Sequence, residues 1–227
     1  MKLEFRIASY NSLMIYFGEK IDPLISKEVQ KAYLALKNAH IEGFFEIIPS
    51  YACVMISYDI LHFDYYEACL RAQTIIDTAQ DINKSDQKIV TIPTYYGLEV
   101  GLDLEVLAQE KNLSVEEIIA LHVSEDYFVY AIGFAPGFAY LGEIHEALAT
   151  SRLPNPRKAV PKGSVAIADR QSAVYPMRSP AGWKILGCTP TAMFDSTYEG
   201  LSLLHVGDMV RFEPISKALF LKLGGVL

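Results

Sequence analysis

Residues 126–142 read DYFVYAIGFAPGFAYLG. The first nine, DYFVYAIGF, are rich in aromatic and β-branched side chains, as expected for a strand. The last ten, from Gly133, hold three glycines, one proline and three aromatic rings, with no charge and no hydroxyl beyond that of Tyr140. Proline fixes φ and glycine permits turns and close approach, so the strand ends in a shaped loop. Downstream, GSVAIAD (163–169), SAVYPM (172–177), WKILGC (183–188) and MVRFEPI (209–215) are further short strands separated by Gly, Pro and Asn. Many short strands with frequent breaks predict a barrel or sandwich. Upstream, helical patterning stops at His122. Asp103 is positioned to cap LEVLAQE, and Ser114 with Glu117 forms a capping-box pattern before VEEIIALH.

The first ninety residues have a different texture. LEFRIAS (3–9) and SLMIYFG (12–18) are strand-like and flank a break at Tyr10-Asn11. Asp22-Pro23 opens a helix whose apolar face is Ile25, Val29, Ala32 and Leu36. FFEIIPS and YACVMISYD predict two more strands. Asp64 with Glu67 predicts a capped helix facing inward through Cys69, Ala72, Ile76 and Ala79. The order β-β-α-β-β-α-β contains the split β-α-β pattern of ferredoxin-like folds. The polar stretch Asp81–Gln87 marks the boundary, giving domains over 1–86 and 87–227, although KIVTIPTYY (88–96) suits either side.

The composition narrows the function classes. The chain has 227 residues, 51% hydrophobic and 21% charged, with a formal net charge of -7. That acidity argues against a nucleic-acid-binding surface. Cys53, Cys69 and Cys188 are scattered, as are the five histidines, so neither a disulfide framework nor a metal site is expected. No run approaches the roughly 18 apolar residues that span a bilayer. The N-terminus lacks a signal core. A cytoplasmic protein is the expectation.

Candidate chemistry concentrates in four loops: GFAPGFAYLG, LPNPRKAVPKGS, YPMRSPAGW and HVGDMV. None is a P-loop, a GxGxxG turn or a GxSxG elbow. Gly133, Phe134, Pro136, Gly137 and Phe138 suit a rim that binds through backbone amides and ring faces. Equally, the rings could plug a core and the glycines could serve turns. His122 ends a helix, where the dipole favours imidazolium and hence an acid or anion binder; the alternative is a cap or core residue. Arg157, near Lys158 and Lys162, is either an anion clamp or part of a solvated loop. Gln171 and Tyr175 offer neutral hydrogen bonds. Trp183, after Gly182, either stacks on a ligand or fills the barrel mouth.

Taken together, these loops resemble the family of the 5-oxoprolinase B subunit, also described as Kip-inhibitor-like proteins or allophanate hydrolase subunit 1. The matching stretches are IPTYYG with Asp103-Leu104, His122 before a strand, GFAPGFAYLG, NPRKAVPKGSVAIA, Gln171, Tyr175-Pro176, SPAGW, ILG-x-TP to Phe194, and VGDMVRF. The resemblance implies an α+β chain with a ferredoxin-like N-terminal domain and a cyclophilin-like β-barrel. It implies A and C partner subunits, ATP with Mg as co-substrate and no prosthetic group. The implied reaction opens 5-oxo-L-proline to L-glutamate. A lactam is a resonance-stabilised amide, and phosphorylating its oxygen makes the ring carbon electrophilic enough for water. His122, Arg157 and Gln171 are then the catalytic candidates. Gly133, Phe134, Pro136, Gly137, Phe138, Tyr175, Gly182 and Trp183 are the binding candidates. The resemblance leaves two further readings: a regulator that inhibits a sensor histidine kinase, and a subunit of an allophanate hydrolase or urea amidolyase system. Three positions depart from the family pattern: Ala181 where glycine is usual, Cys188 where arginine is usual, and Leu102 where proline is common.

Overall fold

A computed structural model describes residues 3–80, 88–197 and 200–227. The chain divides into two units, Met1–Gln87 and Lys88–Leu227. The expected boundary stretch, 81–87, lies outside the described residues.

The first unit is a four-stranded antiparallel sheet with two helices. Its elements are β1 (Glu4–Ser9), β2 (Ser12–Tyr16), α1 (Pro23–Asn38), β3 (Phe44–Ser50), β4 (Cys53–Tyr58) and α2 (Tyr65–Asp77), with sheet order β1-β2-β4-β3. Both helices start as their residues dictate. The Asp22 carboxylate accepts from the Leu24 N–H ahead of Pro23, and Asp64 and Glu67 form a reciprocal capping box. Leu13 and Ile15 on β2 and Val54 and Ile56 on β4 alternate inward and meet Val29, Ala32 and Leu36 of α1. Ser26 is buried where Ile25 was expected, because its hydroxyl donates to the Tyr51 carbonyl at 2.9 Å. On α2 the fully buried residues are Ala68 and Ala72, Cys69 and Ile76 being only partly buried, and Ala79 falls beyond the helix end. The edge position beside β2 is filled by β1. A split β-α-β would fill it with a strand following α2, but the next described strand, β5 (Ile89–Thr94), pairs in the second unit.

The second unit is built on one seven-stranded sheet. Its strands are β5 (Ile89–Thr94), β6 (Tyr127–Ile132), β7 (Ala139–Gly142), β9 (Ser164–Ala168), β10 (Gln171–Val174), β12 (Lys184–Cys188) and β13 (Met209–Pro214). Their order is β12-β9-β10-β7-β6-β13-β5. The two outer strands meet where Tyr95 and Cys188 exchange backbone hydrogen bonds, both at 2.8 Å, so the sheet curls into a nearly closed barrel. Gly187 permits this closure, since a Cβ there would lie 2.6 Å from the Tyr95 carbonyl oxygen. β8 (Arg157–Val160) and β11 (Ser179–Ala181) form a separate two-stranded ribbon. Helices α3 (Leu104–Lys111), α4 (Val115–Val123) and α5 (Lys217–Lys222) complete the unit. Ser114 and Glu117 cap α4 reciprocally, as its sequence predicts.

Strand alternation gives the sheet two distinct faces. Val165 and Ile167 of β9, with Val174 of β10, join a large cluster with Leu104, Leu107 and Ile118 of the helices. Ala166, Ala168 and Ala173 point the other way, into a second cluster with Phe138, Val160, Tyr175, Trp183 and Ile185. The small alanines leave room on that face for large rings. Among the described residues no helix is long and apolar enough to cross a membrane. Nor, among them, does any group of three His, Cys, Asp or Glu converge to hold a metal ion.

Candidate functional site

The loop between β6 and β7 is closed by its own backbone. The Gly133 N–H donates to the Phe138 carbonyl and the Phe138 N–H to the Ala135 carbonyl, both at 3.0 Å. Phe134 has φ of 72° and Gly137 of 80°. At Gly137 a Cβ would lie 2.7 Å from the Met193 carbonyl oxygen, so both backbone conformation and space require glycine. Phe134 carries the left-handed conformation at a cost of about 1–2 kcal/mol and holds its ring 62% exposed. The N–H groups of Phe134, Ala135 and Gly137 make no hydrogen bond among the described residues.

Phe138 anchors the loop to an aromatic cluster. Its ring meets those of Phe134 (5.2 Å), Tyr140 (4.9 Å), Tyr175 (5.3 Å) and Trp183 (5.9 Å), all edge-to-face. Such pairs contribute about 0.5–1.5 kcal/mol each beyond burial. These rings, with Arg152, Leu153, Pro156 and the stretch from Pro180 to Trp183, line a cavity of about 330 Å³. The Arg152 guanidinium stands 5.9 Å over the Trp183 ring, and its backbone is tethered where the Leu153 N–H donates to the Gly182 carbonyl at 2.6 Å. Burial pushes the Tyr175 phenol up to about 12, so it stays protonated and able to donate. The cavity offers ring faces, a neutral donor and one cation. That set suits a small, flat, singly negative ligand. Ala181 fits β11 opposite Arg157 without a positive φ, so the departure from glycine there brings no strain.

Five binding candidates, Phe134, Phe138, Tyr175, Gly182 and Trp183, line this cavity, and Gly133, Pro136 and Gly137 shape the adjoining loop. The catalytic candidates lie elsewhere. His122 is fully buried among Tyr96, Tyr127 and Phe212. Its Nδ1 is 2.8 Å from the Tyr96 hydroxyl and its Nε2 is 3.0 Å from Ser172 Oγ. One neutral tautomer satisfies all three groups: Tyr96 donates to Nδ1, Nε2–H donates to Ser172, and Ser172 donates onward to the Ala166 carbonyl at 3.4 Å. Burial lowers the His122 pKa to about 3. The expected imidazolium is therefore corrected to a neutral ring, because desolvation outweighs the helix dipole. Gln171 opens β10, opposite Ala168 and Gly142, and is not part of the cavity lining.

Arg157 is bound to a residue that the sequence suggested only as a cap. Its Nη2 donates to Asp103 Oδ1 at 2.6 Å, while Asp103 Oδ2 accepts from the Ile185 N–H at 2.7 Å. Asp103 holds the N-cap position of α3 but makes no side-chain cap bond. Its carboxylate instead clips the β8–β11 ribbon to β12. One signal was present in the sequence: Asp64 and Ser114 each have Glu three residues on, whereas Asp103 has Val106. Arg152 was missed because it sits in a proline-rich stretch with nothing local to mark it.

With this geometry in hand, comparisons with known proteins place the chain. Residues 3–204 match the family described as carboxyltransferase domain, subdomain C and D. A Bacillus subtilis (strain 168) protein, named as the B subunit of 5-oxoprolinase, is 36% identical over 218 residues, covering 91% of this chain and 90% of the relative. The crystal structure of TTHA0988 superposes with a TM-score of 0.81 at 32% identity, over 90% of this chain but 40% of that one. Urea carboxylase from Kluyveromyces lactis shares the fold, with a TM-score of 0.76 at 16% identity over 97% of this chain and 22% of that one. This chain belongs to the carboxyltransferase-domain family, subdomain C and D, alongside proteins named as 5-oxoprolinase B subunits.

Proposed function

We propose that this chain is the B subunit of an ATP-dependent 5-oxoprolinase, which opens 5-oxo-L-proline to L-glutamate. The observation that carries the reading is the Bacillus subtilis relative of that name, which matches 91% of the chain. The aromatic cavity supports it chemically. 5-Oxoproline is a small flat ring with one carboxylate and one amide. Trp183 and Phe138 supply faces for the ring, Arg152 a partner for the carboxylate, and Tyr175 a donor for the lactam oxygen. Arg157, held by Asp103, acts from behind by fixing the ribbon that carries Ala181 and Gly182.

In this reading ATP is the phosphoryl donor, with Mg carried on its phosphates. The cavity lining includes no carboxylate or histidine. Proton transfer to and from the opening lactam is therefore assigned to the A and C subunits, which dock on the loop rim around exposed Phe134. The same reading takes the first unit as a variant of the ferredoxin-like module, with β1 in place of the strand after α2, the second as cyclophilin-like and the complex as cytoplasmic.

The test is ATP hydrolysis stimulated by 5-oxoproline, measured with all three subunits and with each left out. Activity is expected only in the full mixture. An inactive mixture of folded subunits would overturn the assignment and favour the kinase-regulator or allophanate readings.

A further inference from the structure

A second cavity, of about 700 Å³, adjoins the place where the barrel closes, and its walls include Lys162, Ser164, Arg178, Cys188, Thr189 and Thr191. None of these six lines the aromatic cavity. Ser164 is only 2% exposed and lines this cavity, and its hydroxyl makes no hydrogen bond among the described residues. A hydroxyl that opens onto a cavity is free to donate to whatever occupies it. Thr189 is likewise buried, and its Oγ1 accepts from the Thr191 N–H at 3.1 Å, which leaves its own proton to donate.

Two cations stand at the exposed edge of this cavity. Lys162 and Arg178 form no ion pair among the described residues. The nearby Asp195 carboxylate is turned to Thr197, at 2.6 Å from its hydroxyl and 2.8 Å from its N–H. Those two bonds lower its pKa most, and Lys162 adds only a weaker pull through space. The one carboxylate side chain in the lining, Glu99, is bound by Lys217 at 2.6 Å and by the Tyr95 hydroxyl at 3.0 Å. Burial pushes the Cys188 thiol up to about 11, so it adds no negative charge. What remains is two exposed cations without an ion pair among the described residues, and two hydroxyl donors. A carboxylate has one charge and two oxygens, fewer than this set can serve. A phosphate group has up to two charges and three acceptor oxygens.

We propose that this cavity binds the phosphate group of an anionic ligand, with Lys162 and Arg178 as its charge partners and Ser164 and Thr189 as its donors. The phosphate site stands on the cavity alone. That its bearer is a nucleoside triphosphate rests on the proposed function, and the volume accommodates one.

Calorimetric titration of the full chain with inorganic phosphate, with ATP and Mg, and with 5-oxoproline tests the proposal. Phosphate and ATP should bind, and each of Lys162→Gln and Arg178→Gln should weaken both about tenfold, the usual worth of one charge-assisted hydrogen bond. Arg152→Gln should leave phosphate affinity unchanged. No binding of phosphate by the folded chain, or a K162Q/R178Q double variant that binds like the parent, overturns the proposal. Phosphate binding that depends on both cations, with no ATP binding, upholds the site and removes the nucleotide as its bearer. Failure of 5-oxoproline to bind, with phosphate binding intact, counts against the proposed function and not against this site.

Discussion

Strands β9 and β10 separate two regions of opposite character. On one face His122, Tyr96 and Ser172 form a buried chain of hydrogen bonds. On the other, alanines make room for rings around a cavity that holds a single cation. The residue that looks most catalytic in the sequence is sealed in the core. The loop without any catalytic group borders the open site. Chemical type therefore says less about role than the face of the sheet on which a side chain falls.

The strongest way to break this contrast is to remove His122. His122→Ala leaves a cavity and removes the imidazole partner of both the Tyr96 and the Ser172 hydroxyls, and should cost about 4 kcal/mol of stability in urea unfolding. Folded His122→Ala should bind ligand in the aromatic cavity as the parent does; a selective loss of binding would undo the division of roles. Titration gives a second handle. The unfolded His122 takes its proton near 6.5, whereas the folded one holds out to about 3. The unfolded state thus binds more protons in between, and stability falls as pH drops from 6.5 toward 3. His122→Gln should show a shallower fall over that window.

Next in size is the clip behind the cavity. Asp103→Ala strands the Arg157 guanidinium and the Ile185 N–H, and should cost about 3 kcal/mol. It should also weaken ligand binding, because the ribbon carrying Gly182 is released. A variant as stable as the parent would show that the ribbon is held by packing alone. Gly137→Ala should cost about 2 kcal/mol, from the left-handed backbone and the clash with Met193. Thermal melts that match the parent would mean the rim loop is not anchored there.

What could be read from the sequence was local. The caps at Asp22, Asp64 and Ser114 depend on residues within one turn, and all three form as patterned. The strands after His122 and their barrel-like succession were legible for the same reason. The partner of β5 was not, because it pairs in parallel with β13, more than a hundred residues away. The choice between the two readings of His122 was not legible, because the helix dipole is a local effect while its burial is set by Tyr96 and Ser172 from distant segments. At the site, the ring-bearing loops were visible as Gly/Pro breaks. The assignment of Arg152 to the cavity and of Asp103 to Arg157 exists only in three dimensions.

The smallest expected effect sharpens the comparison most. The Arg152 side chain is 61% exposed and stands 4.0 Å from Asp169, so its charge adds little to folding. Arg152→Gln should change stability by less than about 0.5 kcal/mol. If the aromatic cavity takes a carboxylate, the same change should weaken 5-oxoproline binding about tenfold, as expected for one lost charge-assisted hydrogen bond. Arg152→Lys should recover part of that loss, because the charge remains while the planar fork over Trp183 is gone. Titration calorimetry beside thermal melts separates the two quantities. Lost binding at unchanged stability would make Arg152 the functional counterpart of His122: dispensable to the fold and needed by the ligand. Unchanged binding in all three proteins would move the carboxylate, and with it the substrate, out of this cavity.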